Sequence, residues 1–253
     1  MFNIFYRREK GNMQKAKRIK RLGTETAFEV LAQVNELKEK GRNIVSFALG
    51  EPDFDTPQNI KDAGIRALKD GFTHYSPSAG VISLRESVIR YISKTRGIDV
   101  DPEEVVITPG AKPIIAYGIL ACVGEGDEVI YPNPGFPIYE SFINFVGAKP
   151  VPLPLLEEKE FSFDPEKLEA EITDKTKMII INSPHNPTGS LLTQDSLETF
   201  AKIAKKKDIW VLSDEVYSQI IYDTEFKSIV SIPGMKERTI LIDGFSKTYA
   251  MTG

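Results

Sequence analysis

Along residues 24–40 apolar side chains return every three or four positions, at Phe28, Leu31, Val34 and Leu37, and Gly41 follows. That spacing predicts a helix with one buried stripe, ended by glycine. Residues 44–49 are a short apolar run and predict a strand. Thr56-Pro57 predicts the start of a second helix, with threonine as cap and proline in the first turn. Ile60, Ala63, Ala67 and Leu68 would be its inward face, and Gly71 its end.

From Glu104 onward the pattern alternates. Residues 105–108, 128–131, 149–153, 178–182, 209–213 and 239–243 are short runs rich in β-branched residues. Most are continuously apolar rather than alternating, which predicts parallel strands covered on both faces. Between them lie helical stretches. The clearest is 194–207, capped by Thr193 and burying Leu197, Phe200, Ile203 and Ala204. The expected fold is α/β, a mostly parallel sheet flanked by helices. In such sheets ligands bind beyond the carboxyl ends of the strands.

The chain has 253 residues, of which 41 % are hydrophobic and 27 % charged, as in an ordinary globular protein. A net charge of -4 offers no general attraction to nucleic acid or anionic lipid. The single cysteine, Cys122, excludes an internal disulfide and suits a reducing compartment, so a cytoplasmic location is expected. His74 and His185 are too scattered to form a zinc cluster with it, and no metal is expected. No apolar run approaches the roughly 20 residues of a membrane span. The N-terminal basic residues Arg7, Arg8, Lys10, Lys15, Lys17, Arg18, Lys20 and Arg21 read as a solvated arm. Met1–Tyr6 is too short for the core of a secretion signal.

The run ends carry the candidate chemistry. After 105–108 comes Thr108-Pro109-Gly110-Ala111-Lys112, where glycine and a helix start can admit an anion such as phosphate; an ordinary strand–helix turn is the alternative. The loop does not match the Gly-Lys-Ser/Thr phosphate loop of ATPases. After 178–182 two prolines stiffen a turn that presents Asn186, with His185 as a turn residue rather than a base. After 209–213, Asp214 and Tyr217 place an acid and a phenol three residues apart, able to address one flat ligand or simply to cap a helix. After 239–243, Lys247 stands among small residues, where desolvation would lower its pKa and free the amine to form a Schiff base. Each feature alone has an ordinary structural explanation. All of them at the ends of separate strands in one sheet point to one ligand.

With those residues in place, the sequence resembles the class I/II aminotransferases, the fold type I family of pyridoxal-phosphate enzymes. The resemblance runs from Val45 to Gly253 and rests on Asn182–Gly189, Ser213–Tyr217 and Ser246–Gly253, which are similar to the family's Asn-Pro-Thr-Gly, Asp-Glu-x-Tyr and Ser-Lys-Thr-Tyr-Ala-Met-Thr-Gly motifs. It implies an N-terminal arm over 1–22, the N-terminal part of a small second domain over 23–55, and the large cofactor-binding domain over 56–253. By position, Lys247 would join the aldehyde of pyridoxal 5'-phosphate and move the proton from Cα. Asp214 would pair with the pyridine nitrogen, making the ring an electron sink. Asn186 and Tyr217 would hydrogen-bond the phenolic oxygen. Phe136 would stack on the ring with Val216 behind it, and Gly110, Ala111, Lys112 and Ser246 would hold the phosphate. Tyr75 would reach the phosphate of a neighbouring subunit, implying a homodimer. Gly50 and Asn186 would contact the substrate.

The implied activity moves an α-amino group between an amino acid and a 2-oxo acid. No nucleic acid and no membrane partner is implied. A C–S β-lyase of the same fold would use the same residues, and a non-catalytic fragment is a third possibility. Gly244 stands where many members have a phosphate-binding serine. The resemblance further implies that a phosphate-binding arginine, the substrate-carboxylate arginine, the rest of the small domain and one more sheet strand lie beyond Gly253. That strand would sit between the runs at 105–108 and 239–243.

Overall fold

The computed structural model describes residues 14–23 and 26–253, and the side-chain surroundings of residues 14–23 and 30–253. Met1–Tyr6, the basic residues Arg7, Arg8 and Lys10, the helix start expected at Thr24 and the side chain of Phe28 lie outside the described residues.

The strands are β1 (Glu128–Asn133), β2 (Lys149–Leu156), β3 (Ser162–Phe163), β4 (Thr176–Asn182), β5 (Trp210–Asp214) and β6 (Thr239–Ile242). Among the described residues they form a six-stranded sheet in the order β3-β2-β1-β4-β5-β6. All neighbours are parallel except β2 and β3. The helices are α1 (Thr26–Glu39), α2 (Gln58–Lys69), α3 (Ile82–Arg96), α4 (Lys112–Cys122), α5 (Ile138–Val146), α6 (Pro165–Glu171), α7 (Gln194–Lys207) and α8 (Phe245–Thr248).

Continuous apolar strands appear here as a sheet buried on two faces. In β4, Ile179 and Ile181 point into a core with Leu197, Phe200 and Ile203 of α7 and Leu168 of α6. Met178 and Ile180 point the other way, into a core with Ile115 and Ile119 of α4 and Tyr139 and Ile143 of α5. Each large side chain so buried contributes about 1.5–3 kcal/mol. The Thr193 side chain caps α7, accepting from Ser196 N, and the lysines of its last turn oppose the helix dipole favourably.

Five expectations need correction. Residues 44–49 are not a strand: Val45 and Phe47 are exposed, and Ala48 N bonds Ser46 Oγ. Residues 105–108 are not a strand either, although Val105 has extended angles, and Ile107 N donates to Ala79 O. A β-branched run becomes a strand only where a neighbour completes its ladder, and neither run pairs with the sheet. Thr56 does not cap α2; Pro57 occupies that position, and the Thr56 hydroxyl bonds Ala250 O instead. Nor does α2 have a buried face: Ile60 and Ala67 are half-buried, Ala63 and Leu68 exposed. Similarly, in α1 Leu31 and Val34 are only half-buried and Leu37 is exposed.

The described part of the basic arm stays exposed but is not detached. Lys17–Arg21 form a 3-10 turn, the Arg18 guanidinium lies 5.7 Å from the Phe145 ring centre, and Gly23 N donates to Ser141 Oγ of α5.

Candidate active site

Because β1, β4, β5 and β6 run in one direction, their carboxyl ends share one edge of the sheet. Asn182 is in register with Asp214, and Asp214 with Ile242. The segments leaving these ends carry Phe136, Asn186, Tyr217 and Lys247.

Asp214 is the deepest of them. Its Oδ2 accepts a 2.6 Å hydrogen bond from the Tyr139 hydroxyl, and its Oδ1 lies 3.5 Å from Val216 N. Burial pushes its carboxyl up to about 6, the Tyr139 hydrogen bond opposing that shift. Burial, then the Asp214 charge, also raises Tyr217.

Lys247 stands in α8. Its Nζ bonds the Gly50 carbonyl and lies 5.6 Å from the centre of the Tyr217 ring. Desolvation is the main cause of its lowered pKa; nearby Glu51 opposes it and Lys112 adds to it. A Cβ built on Gly50 would lie 3.8 Å from the Tyr217 hydroxyl, so backbone, phenol and amine meet here. Thr252 Oγ1 donates to Glu51 Oε2 at 2.9 Å, and Thr56 Oγ1 to Ala250 O at 2.5 Å, fastening the segment after α8 to residues 50–56.

On the far side Lys112, the first residue of α4, places its amine 5.6 Å from the Phe136 ring centre. Gly110 before it has φ +86°, a conformation that suits glycine, and Thr108 Oγ1 bonds its carbonyl. Phe136 meets Tyr139 edge to face at 5.8 Å. Contacts join Lys247 to Tyr217, and join Asp214 through Tyr139 and Phe136 to Lys112, while charge alone couples Tyr217 to Asp214 and Lys112 to Lys247.

Asn186 is half-buried in the turn after β4. Its N–H donates to Asn182 Oδ1 at 2.9 Å, while Asn182 Nδ2 donates to Asp214 O and Pro184 O. Asn182 thus ties the Asn186 turn to the strand that carries Asp214. His185 is buried, its Nδ1 2.8 Å from Thr188 Oγ1, and burial lowers its pKa to about 4, so it stays neutral. Ser246 and Val216 are half-buried at the same edge. Tyr75 is not brought in; its side chain is fully exposed.

Sequence reading missed Tyr139, Asn182 and Arg96. Arg96 is buried and ion-paired to Glu215 and Asp243. Three carboxylates at two adjacent strand ends were the signal that a cation must lie near.

The residues fit a flat, phosphorylated heterocycle with a basic nitrogen and an aldehyde. A buried carboxylate with an elevated pKa gains from a cationic partner. A lysine of lowered pKa is a usable nucleophile. A glycine turn leading into an eleven-residue helix with a lysine at its start suits a phosphate. Among the described residues no group of three or more His, Cys, Asp or Glu is placed to hold a metal. No helix of the described residues is long and apolar enough to cross a membrane.

A family model described as aminotransferase class I and II matches residues 42–253. Aromatic-amino-acid aminotransferase 2 of Thermococcus litoralis is 44 % identical over 220 residues, covering 86 % of this chain and 57 % of that protein. An aspartate aminotransferase of Pyrococcus abyssi is 45 % identical over 214 residues, covering 84 % and 55 %. The solved structure of Thermus thermophilus aspartate aminotransferase with maleate superposes with a TM-score of 0.91 at 35 % identity, covering 95 % of this chain and 63 % of that one. The chain thus spans 55 % to 63 % of the length of these proteins.

Proposed function

The chain belongs to the class I and II aminotransferases, and we propose from that premise that its strand ends build the pyridoxal 5'-phosphate site of a transaminase. The reaction would move an α-amino group between an amino acid and a 2-oxo acid. The observation that carries this reading is the gathering at one sheet edge of the Lys247–Tyr217 pair and the chain from Asp214 through Tyr139 and Phe136 to Lys112.

When bound, pyridoxal phosphate supplies an electron sink for the charge left at Cα. The chain's own residues do the rest. Asp214, ionised, would hold a proton on the ring nitrogen, and Tyr139 supports the ionised form by donating to it. Desolvation lowers the Lys247 pKa, which favours the neutral amine that would hold the aldehyde and would take and return the Cα proton. Tyr217 and Asn186 would donate to the ring oxygen. Phe136 and Val216 would cover the ring. The amides of Gly110, Ala111 and Lys112, with Ser246, would take the phosphate, and Gly50 would offer backbone to the substrate. In this reading residues 1–22 would be an arm, 23–55 would begin the small domain, and 56–253 would belong to the large one. Exposed Tyr75 supports a homodimer in which it reaches the partner's phosphate. The single cysteine supports a cytoplasmic enzyme.

Borohydride reduction of the full-length protein with pyridoxal phosphate should leave the adduct on Lys247, and an unmodified Lys247 would overturn the reading. Aspartate and the aromatic amino acids, named for the relatives above, are the first donors to assay with 2-oxoglutarate. Pyruvate and ammonia formed from an S-conjugate without an oxo-acid acceptor would replace transfer by lysis.

A further inference from the structure

Beneath the tips of β5 and β6 lies a cluster that the reaction above does not use. Arg96, the last residue of α3, has a side chain with 0 % exposure. Its Nε donates to Glu215 Oε2 at 3.1 Å, and its Nη2 to Asp243 Oδ2 at 2.7 Å and Ser218 Oγ at 2.9 Å. Its Nη1 donates to Thr95 Oγ1, and the rings of Tyr91 and Phe226 lie 5.4 and 5.2 Å from the guanidinium carbon. The other Glu215 oxygen accepts from the Ser213 and Ser228 hydroxyls, and the Ser231 hydroxyl donates to Arg96 O.

Three carboxylates therefore crowd two neighbouring strand ends: Asp214 and Glu215 at β5, Asp243 at β6. A charge buried in this way persists only when paired. The planar guanidinium fork satisfies two acids at once, which an ammonium on a flexible stem does not. The partners of Asp214 are neutral, the Tyr139 hydroxyl and the Val216 amide. The same fork bridges the turn holding Tyr217, two residues past Glu215, to the turn holding Lys247, four past Asp243.

We propose that Arg96 is a positioning residue: it neutralises Glu215 and Asp243, fixes the spacing of the β5 and β6 turns, and leaves Asp214 as the one carboxylate that answers a cationic ring nitrogen. This deepens the pyridoxal-phosphate reading and rests on it. The titratable groups facing the cluster are Tyr91 on α3, Asp214 at the end of β5, Glu215 just after it, and Asp243 and Tyr249 after β6. Asp243 already pushes Asp214 upward, and without Arg96 that push would grow.

The test uses the full-length protein as wild type, Arg96→Met, Arg96→Lys, Asp243→Asn and the double variant of Arg96→Met with Asp243→Asn. Two quantities are read: pyridoxal-phosphate affinity, and the pH midpoint of the visible absorbance of the lysine adduct. In Arg96→Met the uncompensated carboxylates favour the cationic adduct, so the midpoint rises by about one unit while affinity falls about tenfold. Arg96→Lys keeps the charge without the fork and should fall between. The double variant should return the midpoint toward wild type but not the affinity. A purely structural arginine would lower stability and leave the midpoint alone, and that result in folded Arg96→Met overturns the proposal. Should Arg96→Met not fold, Asp243→Asn decides: a lowered midpoint supports the proposal and an unmoved one overturns it. If wild type forms no adduct on Lys247, the cofactor reading falls, and the ring-nitrogen role with it. The charge arrangement is then judged on cofactor-free unfolding, where Arg96→Met should lose more stability at about pH 8 than at about pH 6, and equal losses overturn it.

Discussion

The Tyr139 hydroxyl donates to Asp214 Oδ2 at 2.6 Å, and both groups are buried. This bond opposes the effect of burial on the acid. Tyr139→Phe should therefore raise the Asp214 pKa further above about 6 and cost about 1–3 kcal/mol of stability. In the full-length protein, the pH below which pyridoxal-phosphate affinity is lost should move upward. A binding profile that matches wild type at every pH would show that the bond does not serve the ring.

Asn182 links three backbone groups through one amide, at Asp214 O, Pro184 O and Asn186 N. Asn182→Ala leaves buried polar groups unpaired, at about 1–3 kcal/mol. It should weaken cofactor binding although Asn182 itself lies behind the turn. Denaturant unfolding measures the first effect and fluorescence titration the second; unfolding at the wild-type midpoint contradicts the assignment.

Gly135 has no room for a side chain. A Cβ there would sit 2.2 Å from Pro132 O, a backbone atom that cannot swing aside. Gly135→Ala should displace the turn carrying Phe136 and cost at least about 2 kcal/mol. A crystal structure of the variant with an unmoved Phe136 would be the contrary result.

His185 titrates at about 4 in the folded chain because burial opposes its charge. Its ordinary pKa is 6.5. A depressed histidine contributes stability that is present above the unfolded pKa and lost as pH falls through the window down to the folded one. His185→Gln should remove that acid-side loss. Melting temperatures of the two proteins should differ most above about pH 6.5 and converge as it drops toward about 4, and parallel profiles would place the acid sensitivity elsewhere.

The strands from β4 to β6 were legible because long apolar runs, unbroken by charge, mark chain covered on both faces. Placing Asp214 and Lys247 required no more than reading the residues directly after such a run. Residues 44–49 and 105–108 look alike in sequence, but apolar character says nothing about whether a neighbouring ladder exists. β3, two residues long, falls below any periodic signal. Tyr139 was hidden because an aromatic on the inner stripe of an amphipathic helix reads as packing. Arg96, before Gly97, reads as the usual cation at a helix end; its burial emerges only when α3 is set against the strand tips.

The ties from Thr56 to Ala250, from Gly50 to Lys247 and from Glu51 to Thr252 join residues 194, 197 and 201 positions apart. Such distant closures are slow and come after local helices have formed. On the ribosome, the segment around Gly50 must wait for nearly all of this chain to emerge before it meets its partners. The amine therefore meets Gly50 only after β1 to β6 have emerged, so reactivity toward an aldehyde would report a late, long-range closure rather than a local one.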